Sequence, residues 1–220
     1  NGVWSSGGNV NEARELLAGW GTNNNLAGVA GGNNTSDVAQ SDTELYNGTS
    51  WTEVNEINSA RATLGGCGLY AAALIAGASP STHYDKVEQW DGTSWTEKNE
   101  LNTGRGYVGL SGTSTASLLV GGYSNPPTVR YANVEKWDGS SWTEIADLNS
   151  ARPGVGTAAG APVTDTVVFG GYYPSSPTNI TEKWDGTSWT EVGDMNNPKN
   201  VTTGHGDSGS NAGAFGGSQP

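Results

Sequence analysis

Five bases occupy one repeated position in this chain: Arg14, Arg61, Arg105, Arg152 and Lys199 each stand ten residues after a tryptophan, at Trp4, Trp51, Trp95, Trp142 and Trp189. They are half of the ten Lys and Arg in a protein of net charge -12. If they converge, two chemistries are open to them. They can hold an anionic guest such as a carboxylate or sulfate, with the arginines offering bidentate hydrogen bonds. Alternatively they pair with an equally repeated set of acids, Glu44, Glu88, Glu135 and Glu182, and brace the fold.

A second set of candidates varies from copy to copy. Segments 33–43, 79–86, 123–133 and 172–181 carry Tyr84, Tyr123, Tyr131, Tyr172 and Tyr173 among Asn, Ser and Thr. That mixture suits stacking on a sugar ring and hydrogen bonding to its hydroxyls; it equally suits solvated loops stiffened by Tyr and Pro. Six residues after each base stand Trp20, Cys67, Ser111, Ala158 and His205, a further column that reads as filling near an axis.

Catalysis and cofactors find little footing. Cys67, His83 and His205 fall in different repeats and different strand positions, so no Cys/His copper set assembles, and neither metal nor cofactor is expected. No nucleophile and general acid can be singled out among the repeated carboxylates, which read as protection of exposed strand edges.

The elements that must position these residues are repeats. Trp51, Trp95, Trp142 and Trp189 each open a Trp-Thr-Glu phrase behind a Gly-Thr-Ser or Gly-Ser-Ser turn, with a degenerate copy at Trp4 and Trp-to-Trp intervals of 47, 44, 47 and 47. Periods of this size in a strand-rich chain indicate propeller blades or stacked arrays. Between Arg105 and Trp142 the punctuation predicts four strands: Gly106 to Gly112, Ala116 to Val120 ending at Gly121-Gly122, Ala132 to Trp137, and Ser141 to Ile145. Asp138-Gly139 joins the last two as a hairpin, as do Asn47-Gly48, Asp91-Gly92 and Asp185-Gly186 in the other copies. The first two strands are rich in Gly, Ala and Val and the last two in Trp, Thr and Glu. Strands crowded about an axis need small side chains, and diverging outer strands need large ones, so a propeller fits better than a solenoid. The repeated tryptophans then read as staples between blades, each burying about 150 to 250 Å².

Composition excludes other classes. Thirty-four Gly, nine Trp and eight Tyr against two Phe make the chain turn-rich and aromatic-stapled, not helical. Its negative charge repels nucleic acid and anionic bilayers, its apolar runs are too short to insert in a membrane, and the single Cys67 says little about redox compartment. Beginning at Asn1 without Met, the sequence reads as a processed chain or an excerpt. No charge run or Pro/Ser tract separates the repeats, so residues 1–220 are expected to form one domain. Its units are about 14–51, 61–95, 105–142 and 152–189, with a split blade from 1–10 plus 199–220 in which the strand at Trp4 closes a ring of five.

The feature order resembles the kelch repeat of β-propellers: an Arg opening the first strand, an apolar second strand ending in Gly-Gly, a loop, an outer strand ending in an aromatic before Asp-Gly, and a Trp strand. The double glycines are Gly31-Gly32, Gly121-Gly122, Gly170-Gly171 and Gly216-Gly217; Gly77-Ala78 and Tyr46 depart from the pattern. The phrase Trp-Asp-Gly-Thr-Ser-Trp-Thr-Glu is also similar to kelch-like arrays in phage structural proteins and tail fibres. The resemblance implies a ligand face around the central opening, where the strand-one bases and the loops after Gly-Gly emerge, and so implicates Arg14, Arg61, Arg105, Arg152, Lys199, Tyr123, Tyr172 and Tyr173. The expected function is a non-catalytic module binding a glycan or cell-surface receptor, outside the cell or on a virion, with other virion or surface-structure subunits as further partners. Two alternatives stand beside it. One is a purely structural spacer. The other is a glycosidase acting on acidic sugars, since Asp-Gly-Thr-Ser-Trp is similar to the Asp-box of sialidase propellers, though it lacks the residue usually found between Asp and Gly.

Overall fold

Every strand predicted in the 105–142 unit forms, one to three residues shorter at its N-terminal end, and the pattern recurs. The computed structural model describes residues 7–78, 84–201 and 203–218. Trp4, the expected closing strand, lies outside the described residues, as does the start of the second variable loop at 79–83.

The first blade consists of β1 (Arg14–Glu15), β2 (Ala18–Asn23), β3 (Leu26–Ala30), β4 (Asn33–Asn34), β5 (Thr43–Tyr46) and β6 (Trp51–Val54), with β2, β3, β5 and β6 forming the sheet and β1 pairing with β4. The second is β7 (Gly65–Leu69), β8 (Ala72–Ala76), β9 (Val87–Trp90) and β10 (Trp95–Glu97). The third has β11 (Gly109–Gly112), β12 (Ser117–Val120), the ribbon β13 (Tyr123–Ser124) and β14 (Val129–Arg130), then β15 (Val134–Trp137) and β16 (Trp142–Ile145). The fourth is β17 (Gly156–Thr157), β18 (Thr166–Phe169), β19 (Thr181–Trp184) and β20 (Trp189–Glu191), and a two-stranded sheet follows, β21 (Thr203–Ser208) with β22 (Asn211–Phe215). All pairings are antiparallel. The result is an all-β, propeller-like arrangement of four complete blades, whose first strands β2, β7, β11 and β17, then β21, lie side by side in succession.

Crowding at these inner strands explains their glycines. A Cβ on Gly109 would lie 2.4 Å from Thr157 Cγ2, and one on Gly65 2.8 Å from Leu110 Cβ, both contacts with the next blade. Further out the gap is filled by rings. Trp90–Trp95, Trp137–Trp142 and Trp184–Trp189 pack at centroid distances of 5.2 to 5.3 Å within their blades, and Tyr46 takes the same place against Trp51. Each strand-four indole also reaches back toward the preceding repeat. Trp95 Nε1 donates to Thr43 Oγ1, Trp142 Nε1 to Asn99 O, Trp189 Nε1 to Ala146 O and Trp51 Nε1 to Gly8 O. The hydrophobic core is therefore a series of interfaces. One cluster joins Trp20 of the first blade to Ile75, Trp90 and Trp95 of the second, and the next joins Cys67 and Leu74 of the second to Leu110, Leu119 and Trp142 of the third.

The hairpins differ from a two-residue Asp-Gly turn. Trp137 pairs with Trp142, leaving a four-residue loop in which Asp138 Oδ1 accepts the N–H groups of Ser140 and Ser141, both at 2.8 Å. Gly139 then takes φ +95°, where a side chain would be strained. Asp91 and Asp185 make the same bonds. These backbone donors, led by Ser94, Ser141 and Ser188, favour the ionised form and hold all three carboxyls below the usual range.

Candidate functional site

The base column and the loops after the double glycines emerge on the same face, opposite the Asp-Gly turns, because each strand reverses the direction of its neighbour. The four arginine side chains are fully buried and sit beneath this face. Arg14 pairs with Glu44 and Arg105 with Glu135, each at 2.5 Å, and Arg61 and Arg152 pair with Glu88 and Glu182. The glutamates are held from their other side by Asn11, Asn58, Asn102 and Asn149, three residues before each arginine. Arg105 is the most fully engaged. Its Nε donates to Gly121 O, its Nη1 to Thr103 O as well as Glu135, and its Nη2 to Asn133 O. Arg61 and Arg152 leave Nε and Nη2 without a partner. Lys199 is half-buried, and among the described residues no carboxylate is within ion-pair distance of it.

Two residues after each base the backbone turns left-handed, at Leu16, Thr63, Tyr107, Gly154 and Val201. Only one of the five is glycine. The strained residues link successive blades: Thr63 N–H donates to Leu16 O, Tyr107 N–H to Thr63 O and Gly154 N–H to Tyr107 O, at 2.7 to 2.9 Å. These bonds hold the β-branched Thr63 in the left-handed region despite its strain.

Tyrosines meet beside these residues. Tyr107 packs edge-on against Tyr123 at 6.3 Å. Burial, with Tyr84, Glu15 and Tyr123 close by, pushes the Tyr107 hydroxyl above its ordinary value, so it remains a neutral donor at physiological pH. Tyr84 Oη bridges from the second blade to the third, donating to Asn125 O and accepting from Asn125 N–H. Tyr123 pairs across β13–β14 with Arg130, whose guanidinium lies 5.4 Å from the centroid of the Tyr172 ring in the fourth blade. Tyr131 stands over Arg105 at 5.8 Å and shares a hydrogen bond with Ser124, tying the loop to the buried ion-pair layer. Tyr173 is exposed beside Tyr172. The exposed Arg130 thus lies between Tyr123, opposite it on the ribbon, and the Tyr172 ring of the fourth blade.

Sequence reasoning singled out Tyr123, Tyr172 and Tyr173 but passed over Arg130 and Tyr107. Arg130 has no counterpart in the other repeats, and the signal that could have found it was its rarity: it is the one arginine outside the repeated column. The column six residues after each base fills interfaces as far as Ala158: Trp20, Cys67, Ser111 and Ala158 are buried and His205 is exposed. Ser111 Oγ donates to Ala158 O across to the next blade. Burial pushes the Cys67 thiol up to about 12 against a smaller opposing hydrogen bond with Ser117, which leaves it a protonated core residue without nucleophilic character. Among the described residues the one carboxylate group tight enough to share a cation is Asp42, Glu53 and Glu56, within 4.8 Å of one another, mostly exposed, with Ser41 Oγ already donating to Glu56. No helix of the described residues is long and apolar enough to cross a membrane.

Compared with known proteins, the chain matches no family model and no curated sequence.

Proposed function

We propose that this chain is a non-catalytic recognition module, a propeller of the kelch type that binds an acidic glycan or glycan-bearing surface receptor through the loop face of its second, third and fourth blades. Its setting in this reading is the exterior of a virus particle or cell, where such a module sits among other surface subunits. The observation that carries the reading is Arg130. It is an exposed guanidinium with no carboxylate in ion-pair distance among the described residues, lying over Tyr172 and flanked by Tyr123. In so acidic a protein, such a cation is matched to an anionic group of a ligand, while ring faces beside it accept the apolar face of a sugar. Arg14, Arg61, Arg105 and Arg152 serve this site from below, as buried supports that fix where the loops leave the blades.

The test is a glycan array probed with the parent protein and with Arg130→Ala and Tyr172→Ala. Hits among sialylated, uronate or sulfated glycans that weaken in both variants, and that fade with added salt, are expected. Silence on the array would leave the spacer reading standing, and sugar released from the array would establish a glycosidase instead.

A further inference from the structure

The outer-strand hairpin of the first blade breaks the column of turn acids. Asp91, Asp138 and Asp185 begin that turn in the second, third and fourth blades, and Asn47 begins it in the first. All four residues are exposed, and each is followed by a glycine in the left-handed region, at φ +94° to +97°.

The four turns present the same donors. In each acidic copy one carboxylate oxygen accepts two backbone N–H groups at 2.8 Å, and the other accepts the serine hydroxyl at 3.1 to 3.3 Å. Such donors favour the anion, in keeping with three carboxyls held below their usual range. Asn47 uses the turn only in part. Its Oδ1 accepts the N–H groups of Thr49 and Ser50, both at 3.0 Å, while its Nδ2, itself a donor, cannot accept the Ser50 hydroxyl and has no acceptor among the described residues. The turn is shaped for a carboxylate and holds an amide.

The groups needed to exchange one for the other are already adjacent. The Gly48 N–H has no acceptor among the described residues, no side chain on residue 48 shields it, and its nitrogen closes a five-membered ring when it reaches Asn47 Cγ, an intramolecular step. The two N–H groups on Oδ1 draw electrons from the amide carbon and stand where negative charge develops as nitrogen adds.

We propose that Asn47-Gly48 is a site of spontaneous deamidation that completes the column of turn acids. Solvent base removes the Gly48 N–H proton, the nitrogen attacks Cγ, the Cγ–Nδ2 bond breaks, and Nδ2 takes up a proton and leaves as ammonia. Water then opens the succinimide. Addition at Cγ breaks its new bond to the Gly48 nitrogen and gives aspartate, while addition at the Asn47 main-chain carbonyl carbon gives isoaspartate. Either way one water enters and one ammonia leaves, with no change of oxidation state. The turn favours the first product. Aspartate gains the charge-assisted bonds of its three counterparts, the serine hydroxyl included, whereas isoaspartate lengthens the main chain by a methylene inside a hairpin that must still pair Tyr46 with Trp51.

The parent chain, incubated folded and in urea in water labelled with heavy oxygen and then digested for mass spectrometry, tests this. Fragmentation separates residue 47 from Asn1-Gly2, the other Asn-Gly pair, which lies outside the described residues. The expected result is uptake of one labelled oxygen at residue 47 in the folded chain, with aspartate the major product there and isoaspartate the major product in urea. Asn47→Asp should melt at or above the parent, and Asn47→Gln, whose longer side chain cannot close the five-membered ring, should take up no label at 47. Asn47 left intact in the folded chain after the chain in urea has converted, isoaspartate as the major folded product, one product ratio in both states, or Asn47→Asp melting below the parent would each overturn the proposal.

Discussion

Arg105 and Arg130 sit 25 residues apart in the same blade, on the same face, and do opposite things. Arg105 is buried, donates to Glu135 and to three backbone carbonyls, and lies under Tyr131. Arg130 is exposed, has no carboxylate partner among the described residues, and lies over Tyr172. Side-chain type is therefore no guide to role here; what separates them is whether the repeat supplies an acid. The four arginines at the recurring position are bound to glutamates within the fold, whereas Arg130, which does not recur, has no carboxylate partner among the described residues.

The largest effect should come from splitting the buried pair. Arg105→Met leaves Glu135 buried with Asn102 and Thr103 as donors but no cation, and removing one partner of such a pair costs about 3–5 kcal/mol. Adding Glu135→Met should return much of that loss, since an apolar pair of similar volume is often neutral. Urea melts of the parent, single and double variants measure both. A single variant as stable as the parent would erase the distinction between the two arginines.

Trp142→Ala should rank beside or just below it. The indole is 6% exposed, packs on Trp137 at 5.2 Å and donates to Asn99 O of the preceding blade, and emptying an aromatic core position costs about 3–5 kcal/mol. Calorimetry should show lower melting, with any glycan binding retained by the folded fraction. Unchanged melting with binding lost would move the tryptophans from packing to recognition.

How much of this was legible follows from the same contrast. The period, the four strands per blade and the stapling tryptophans stand in the sequence because packing demands the same residue in every copy. The base column was visible too, yet its burial was not, because a ring awaiting an anion and a ring paired with Glu44, Glu88, Glu135 and Glu182 have the same spacing. The left-handed column at Leu16, Thr63, Tyr107 and Val201 left no trace, since only Gly154 advertises its conformation. Arg130 and Tyr107 were hidden for the complementary reason: periodicity draws the eye to what repeats, and neither residue has a counterpart of its own type at the matching position of the other repeats.

A smaller effect should follow pH on the opposite face. The carboxyls of Asp91, Asp138 and Asp185 are held below their ordinary range by the N–H groups of Ser94, Ser141 and Ser188. A depressed folded value means that their contribution is present above the unfolded carboxylate pKa of about 3.9 and is lost as pH falls through the folded value. Asp138→Asn should flatten the acid limb of a stability–pH profile below about pH 4, while Arg130→Ala leaves that limb untouched. An identical limb in Asp138→Asn and the parent would show that the turn carboxylates do not titrate with folding.

The smallest effect on stability should be at Arg130 itself. Its guanidinium is exposed and, among the described residues, contacts only the Tyr172 ring face, and such surface substitutions usually stay within about 0.5 kcal/mol. Arg130→Ala should therefore melt with the parent while losing affinity for any acidic glycan the parent binds. Arg130→Lys separates charge from shape: a lysine keeps the charge but not the planar fork that stacks on Tyr172 and grips a carboxylate. Partial affinity in Arg130→Lys would assign the remainder to that fork. A drop of several kcal/mol on removing Arg130 would instead place it with Arg105 as architecture, and the contrast between the two arginines would collapse.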